Sequence, residues 1–204
     1  MYGIAYDELA RIATSKIDMA QKPDAQRLTR EEWLARALDA LAKHGEQVLS
    51  VESLARQLKV SRGSFYWHFK DRADFIRQLV EYWSTSYTES VVNELGSVQD
   101  NATNLLFALM NLIVRRNLAR YDIAVRAWAA RDVIASRIVK NVDRFRMEYV
   151  RSLFAEIGFK GEELEVRSRA FVVYFSLESG LFIGPSKQSR VKQLKRLHAF
   201  FTRP

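Results

Sequence analysis

Arg62, Ser64, Tyr66, Trp67 and His68 crowd into one short stretch, SRGSFYWHFKDR, interleaved with Phe65 and Phe69. These residue types at this spacing suit contact with a DNA major groove. A guanidinium is a planar fork of donors that fits the two acceptors of a guanine edge, a pairing worth roughly 1–3 kcal/mol of discrimination. Arg62, early in a predicted helix, is the best placed for it. Gly63 lets the backbone approach base edges or phosphates. Ser64 can contact a base or a phosphate, and its short side chain leaves room for a thymine methyl. Trp67 packs on sugar and backbone, or else is ordinary packing. A helix turns about 100° per residue, so Phe65 and Phe69 share one face and point to a core. Arg62, Gly63, Ser64, Tyr66 and Trp67 are left facing outward.

Such a reading helix needs neighbours to hold it, and the flanking sequence supplies them. Thr29 followed by Glu32 is a capping box that opens a first helix, with Trp33, Leu34, Ala37, Leu38 and Leu41 as its apolar stripe. Gly45 suits the end of that helix. Ser50 is the expected cap of a second helix burying Val51, Leu54, Ala55 and Leu58. Lys59-Val60 makes the turn, and Ser61 caps the reading helix from Arg62 to His68. Asp71 caps a long fourth helix that is predicted to run to about Leu95, with Asp74 in its first turn. Two short helices meeting at a tight turn, with the second presenting polar and aromatic groups, form a helix-turn-helix.

The rest of the chain is apolar at helical rather than alternating spacing, over Asn101–Arg120, Ile123–Ala130, Val133–Ile157, Glu162–Gly184 and Ser189–Phe201. Gly158 and Gly161 bracket one break and Gly184-Pro185 makes another. With 8 Gly and 3 Pro in 204 residues and no strand pattern, the expectation is an all-α fold. Residues 1–27 read as an N-terminal extension. Asp7–Ala20 is an amphipathic helix candidate broken by Pro23, and the segment is either a loosely attached terminus or an arm touching DNA through Lys16, Lys22 and Arg27. A third reading starts the protein at Met19.

Composition excludes several classes. There is no Cys, so neither disulfides nor thiolate metal ligands are available. His44, His68 and His198 lack ligand spacing, so no metal and no cofactor is expected. No phosphate-binding glycine loop or nucleophile set is present, which argues against an enzyme. No apolar run approaches membrane-spanning length and no signal peptide opens the chain, so a cytoplasmic protein with no membrane partner is expected. The net charge of +8 permits a polyanion partner, but it does not locate one. Ser186–Pro204 carries six basic residues and no acidic one, whereas Arg27–Arg77 has ten basic and seven acidic, a net of +3. The DNA reading therefore rests on the motif rather than on the charge.

The segment LSVESLARQLKVSRGSFYWHFKDRADFI, Leu49 to Ile76, resembles the TetR family of bacterial transcriptional regulators, most densely at Tyr66-Trp67-His68-Phe69 and Lys70-Asp71-Arg72. The likeness extends over about Leu28–Trp83. It returns more weakly in YDIAVRAWAARD and VDRFRMEYVRSLFAEIGF, Tyr121–Asp132 and Val142–Phe159. The resemblance implies an N-terminal three-helix helix-turn-helix DNA-binding domain over 28–75 and a C-terminal helical ligand-binding and dimerisation domain over 76–204. It implies that Tyr66 and His68 are positioning groups at phosphates, although His68 is equally a helix-end cap. Arg72 stands where the family usually has Lys, and it would meet a phosphate together with the helix-end amides. Ser50 would do the same, as would Thr29. Gly63 departs from the Pro, Ala or Lys of many relatives, so base preference does not transfer.

By the same resemblance, the last two long helices pair with their copies in a homodimer that binds a palindromic double-stranded operator. Phe171, Tyr174, Phe175, Leu181, Phe182, Leu194, Leu197 and Phe201 are candidates for that interface or for core. A pocket for a hydrophobic small-molecule inducer is expected among Phe107, Met110, Ile113, Trp128, Met147, Tyr174 and Phe175, each of which is also an ordinary core candidate. Glu178 binds a ligand donor or cation, or pairs with an Arg at the dimer interface, and Arg126 carries a similar ambiguity. The implied function is that of a repressor released by ligand. An inducer-independent architectural or division-control DNA binder of the same fold is the alternative.

Overall fold

A computed structural model describes residues 28–97, 100–178 and 186–203. The expected extension over 1–27, Leu181, Phe182 and the Gly184-Pro185 break lie outside the described residues. Among the described residues every regular element is helical.

The first helix, α1 (Arg30–His44), begins where Thr29 Oγ1 accepts the Glu32 amide at 3.2 Å and Glu32 accepts the Thr29 amide at 2.7 Å. That reciprocal pair satisfies two amides that the first turn leaves open. The hydrogen bond from the Thr29 backbone holds the Glu32 carboxyl below its usual range. Trp33, Leu34, Ala37, Leu38 and Leu41 are all buried, as their spacing requires. Gly45 stops the helix at φ +76°, a value that an L side chain rarely adopts. A 3-10 turn (Glu46–Leu49) leads into α2 (Val51–Leu58), capped by Ser50, and then into α3 (Arg62–His68), capped by Ser61. Lys59, at φ +56°, makes the tight turn between them. The next helix, α4 (Arg72–Ser84), starts at Asp71, whose carboxylate accepts the Asp74 amide at 2.8 Å.

The long fourth helix expected from sequence is interrupted. After α4 the chain winds one wider, π-helical turn (Thr85–Glu89) before continuing as α5 (Ser90–Gly96). Ser84 donates to Glu89 at 2.8 Å across this turn. A π-turn spreads the i→i−4 ladder by one residue, and such turns concentrate at functional positions. The second half follows as α6 (Ala102–Arg116), a 3-10 turn (Leu118–Tyr121), α7 (Asp122–Ala129), α8 (Val133–Ile157), α9 (Gly161–Leu177) and α10 (Lys187–Thr202). The helix predicted over Asn101–Arg120 ends early because Asn117 turns left-handed at φ +51°.

Two apolar cores result. The first joins Trp33, Phe65, Phe69, Phe75 and Trp83 to Tyr121, Val125, Trp128 and Val139, so it crosses the 75/76 boundary drawn from the sequence. The second packs Leu106, Met110, Phe154, Phe171, Phe175 and Phe201. Head and body are also tied by polar contacts. The Tyr121 hydroxyl donates to Asp39 at 2.5 Å, and Arg131 pairs with Glu46 at 2.8 Å.

Candidate nucleic-acid interface

The reading helix α3 is held from behind by aromatic packing. Phe65 and Phe69 are fully buried, with ring centroids 5.1 Å apart, and both meet Trp33 of α1 and Phe75 of α4 edge-on. Edge-to-face pairs of this kind fix orientation as well as bury area. Phe69 itself lies just past the helix in extended backbone, and its amide closes the last turn onto Phe65.

The opposite face is bare. Tyr66 is 61% exposed and Trp67 is 80% exposed. An indole left that open loses much of its burial free energy, so its position calls for a partner outside the chain. Arg62 is exposed and makes one loose ion pair with Glu52 at 3.3 Å, easily exchanged for another acceptor. A Cβ on Gly63 would meet only the Ser61 hydroxyl, at 3.7 Å. Among the described residues nothing crowds that position. Thr29, Ser50, Ser61 and Arg72 are exposed. Ser50 Oγ accepts the Ser53 amide and Ser61 Oγ the Ser64 amide, both at 3.2 Å. The four helix starts therefore present amides and hydroxyls of the type that cradle phosphates.

Two residues differ from the outward-facing set. Ser64 is half-buried, and its Oγ accepts the Trp33 indole N–H at 3.2 Å, so this hydroxyl braces α3 against α1. His68 turns back as well, its Nε2 lying 2.7 Å from the Leu28 carbonyl, which makes it the donor there. It clasps the start of α1 rather than capping α3, a role that falls to Phe69.

Behind the head, a partly closed cavity of about 60 Å³ lies between the π-turn and the helices α6, α8 and α9. Val91, Leu109, Ile113, Leu118, Val150, Phe171, Val172 and Phe175 give it apolar walls, and Tyr87, Thr88, Asp122, Arg146, Tyr149 and Ser176 bring polar atoms to it. Burial pushes the Tyr149 phenol up from its usual range. Arg146 is the hub of the polar side. Its Nε and Nη2 donate to Thr88 Oγ1 at 3.0 and 2.7 Å, and Nη1 reaches Ser176 Oγ at 3.3 Å. The guanidinium also pairs with Asp122, which is fully buried, and lies over the Trp83 ring. Asp122 in turn accepts the Trp83 indole N–H at 3.2 Å. The buried charge pair is thus neutralised and hydrogen-bonded throughout, as a low-dielectric site requires.

Residues 34–79 match the family model described as bacterial regulatory proteins, tetR family. Over 74 residues the chain is 36% identical to the HTH-type transcriptional regulator AcrR of Shigella flexneri, a match covering 36% of this chain and 32% of that one. Over this N-terminal segment the chain is similar to the TetR family. Its match thus spans about a third of that curated relative's length. Solved structures agree with the TetR fold across both halves. The ketosteroid transcriptional regulator KstR2 of Mycobacterium tuberculosis superimposes with a TM-score of 0.67 at 15% identity, covering 90% of this chain and 98% of that one. AibR, solved in complex with isovaleryl coenzyme A and operator DNA, gives 0.67 at 14% identity, covering 86% and 100%.

The cavity shares only part of its lining with the residues expected from sequence. Of the named set, Phe175 and Ile113 are at its wall. Met110 and Trp128 are buried in the two cores, Met147 packs partly against the second, and Phe107 meets His198 of α10 edge-on. Arg126 makes a two-bond pair with Asp143. Glu178 pairs at 3.0 Å with Arg190, an arginine of its own chain and not one of the partners expected, beside the half-exposed Tyr174. Sequence reasoning missed Thr88, Asp122 and Arg146. The signal was present for Arg146: Val139, Val142, Val150 and Leu153 are a buried stripe of α8, and residue 146 continues their three-and-four spacing with a charge.

Proposed function

We propose that this protein is a sequence-specific DNA-binding transcriptional regulator, a homodimer acting on a palindromic operator and released from it by a small molecule. The observation that carries the reading is α3. An arginine, an open glycine position and two exposed aromatics stand on a helix pinned from behind by Phe65 and Phe69. Four exposed capped helix starts around it supply phosphate contacts that position the head, while Arg62 reads a base edge.

Dimerisation is supported by α9 and α10. Val166, Val173, Tyr174, Leu177 and Phe200 are large apolar side chains left exposed on these two helices. They are a different set from most of the interface candidates, since Phe171, Phe175, Leu194 and Phe201 are buried within the protomer. A two-fold pair of α9–α10 hairpins makes a four-helix interface and sets two reading helices on one DNA face. The cavity behind the π-turn supports a ligand-sensing role over a purely architectural one. Among the described residues no helix is long and apolar enough to cross a membrane, and the working compartment is the cytoplasm, where the operator lies.

The test is a gel shift with the DNA upstream of the protein's own gene. The wild type should bind it in preference to competitor DNA, with affinity falling steeply as salt rises. Arg62→Ala should weaken binding by about 5- to 100-fold and relax the preference at one base pair. Equal binding by both proteins, without sequence preference, refutes the proposal.

A further inference from the structure

The polar end of the cavity has an uneven set of free hydrogen-bonding groups. All five guanidinium N–H groups of Arg146 are engaged, by Thr88, Asp122 and Ser176. The hydroxyls of Thr88 and Ser176 accept from that cation, and among the described residues neither donates to another group. A hydroxyl that accepts from a guanidinium is polarised as a donor. The cavity therefore offers the O–H donors of Thr88 and Ser176, with the Tyr149 phenol also at its wall, while both Asp122 oxygens already accept from Arg146 and one of them also from the Trp83 indole. The site calls for an oxygen acceptor.

Charge narrows the class further. Arg146 and Asp122 cancel, so no net charge awaits an ion here. A carboxylate or an ammonium would lose its hydration without a free counter-charge to replace it. A neutral carbonyl oxygen loses far less. Size sets the last bound. About 60 Å³ suits a small molecule rather than a drug-sized one.

We infer that the cavity takes a short, uncharged, largely apolar molecule bearing one carbonyl oxygen, held by the hydroxyls of Thr88 and Ser176. Thr88 belongs to the π-turn that joins the head's α4 to α5, so a ligand oxygen that accepts from its hydroxyl extends the hydrogen-bond chain running from Arg146 through this turn. A ligand held there alters the turn through which the head is carried. This regulatory meaning rests on the ligand-released regulator reading; the binding chemistry does not.

The experiment uses the full chain and the Trp83 indole N–H, which donates to Asp122 and so reports on the hub in a 15N-correlated spectrum. The probes are butanone, propionate and butan-2-amine, equal in heavy atoms but neutral, anionic and cationic. Butanone should shift the Trp83 signal saturably, with an affinity on the order of millimolar for so small a molecule. Propionate and butan-2-amine should not reach saturation in the same range. Thr88→Val and Ser176→Ala, which remove one hydroxyl each and keep the volume nearly unchanged, should each weaken butanone by about 3- to 10-fold. Ile113→Phe, which fills the cavity from its wall, should abolish the shift. Propionate binding as tightly as butanone overturns the assignment, as does an unchanged butanone affinity in the Thr88→Val/Ser176→Ala pair. Because the readout contains no DNA, its failure leaves the gel-shift result standing. Saturable butanone binding without any change in operator affinity would instead sink the ligand-release reading and keep the site.

Discussion

Replacing Asp122 by alanine should destabilise the protein by about 3–5 kcal/mol, because the change leaves the Arg146 guanidinium without its counter-charge. The magnitude follows from the surroundings. The Asp122 side chain is 0% exposed and that of Arg146 is 17% exposed, so little water can take over the lost pairing. The Trp83 indole N–H loses its acceptor in the same step, adding about 1 kcal/mol. Removing both charges behaves differently. In Asp122→Ala/Arg146→Met the thioether chain occupies the space over the Trp83 ring and no unpaired ion is left behind. The double variant should therefore lose only about 1–3 kcal/mol, less than Asp122→Ala alone. Urea unfolding followed by far-ultraviolet circular dichroism measures all four proteins of the cycle, at one protein concentration so that dimer formation does not bias the comparison. Additive losses, or a loss below about 1 kcal/mol for Asp122→Ala, would show that water reaches this site and that the hub is not a closed, coupled unit.

Gly63→Ala should stabilise the head by up to about 1 kcal/mol, since the added methyl meets open space and alanine favours a helix interior; operator affinity should fall at the same time if the backbone approaches DNA there, and thermal unfolding beside a gel shift separates the two effects. Ser64→Ala removes the acceptor of the buried Trp33 indole N–H and should cost about 1–2 kcal/mol in urea unfolding. Burial first, then the hydrogen bond to Asp39, raises the Tyr121 phenol above its ordinary value of 10.0. Its contribution to stability is complete below the unfolded-state pKa and declines as pH rises past about 10, so Tyr121→Phe should flatten that alkaline decline by up to one proton's worth of slope in a pH series of unfolding midpoints. Val173→Glu places a charge on the exposed apolar face of α9 and should convert dimer to monomer in sedimentation velocity.

The head was legible in the sequence because its rules are local. Thr29 with Glu32, Ser50, Ser61 and Asp71 each act within their own first turn, and each caps the helix expected of it. Helical spacing likewise placed Trp33, Leu54, Phe65 and Phe75 in the core. What failed depends on distance in space. Ser64 lies between His68 and the outward Trp67 on a helical wheel, and only the approach of Trp33, thirty-one residues away, decides that its hydroxyl turns inward. The π-turn has no sequence signature of its own; it exists where Tyr87 meets Tyr121 edge-on and Thr88 must reach Arg146. Most of the lining of this cavity was illegible for a related reason. Large apolar residues such as Met110 and Trp128 fill space, and a void is lined by whatever side chains stop short of one another. Smaller residues and polar ends, here Val91, Val172, Thr88 and Ser176, mark such a place.

The first core bears on how any signal could reach α3. Trp83, Phe75 and Trp33 share one continuous apolar cluster with Tyr121, Val125 and Trp128, and the Tyr121–Asp39 and Arg131–Glu46 contacts close over it. A head turning freely about a hinge between the halves would have to open that cluster, exposing several aromatic side chains worth about 2–3 kcal/mol each. A sliding of α4 along its packed neighbours keeps the cluster buried and needs only a change in the ladder at one end. The π-turn is that end, and its widened ladder already departs from the helical repeat. Thr88 sits in it, held by the one guanidinium that also touches α9 through Ser176 and α7 through Asp122. A shift at Arg146 is therefore felt at α4 before it is felt anywhere else in the head, and in a two-fold dimer a small displacement of α4 in each protomer changes the spacing of the two reading helices twice over.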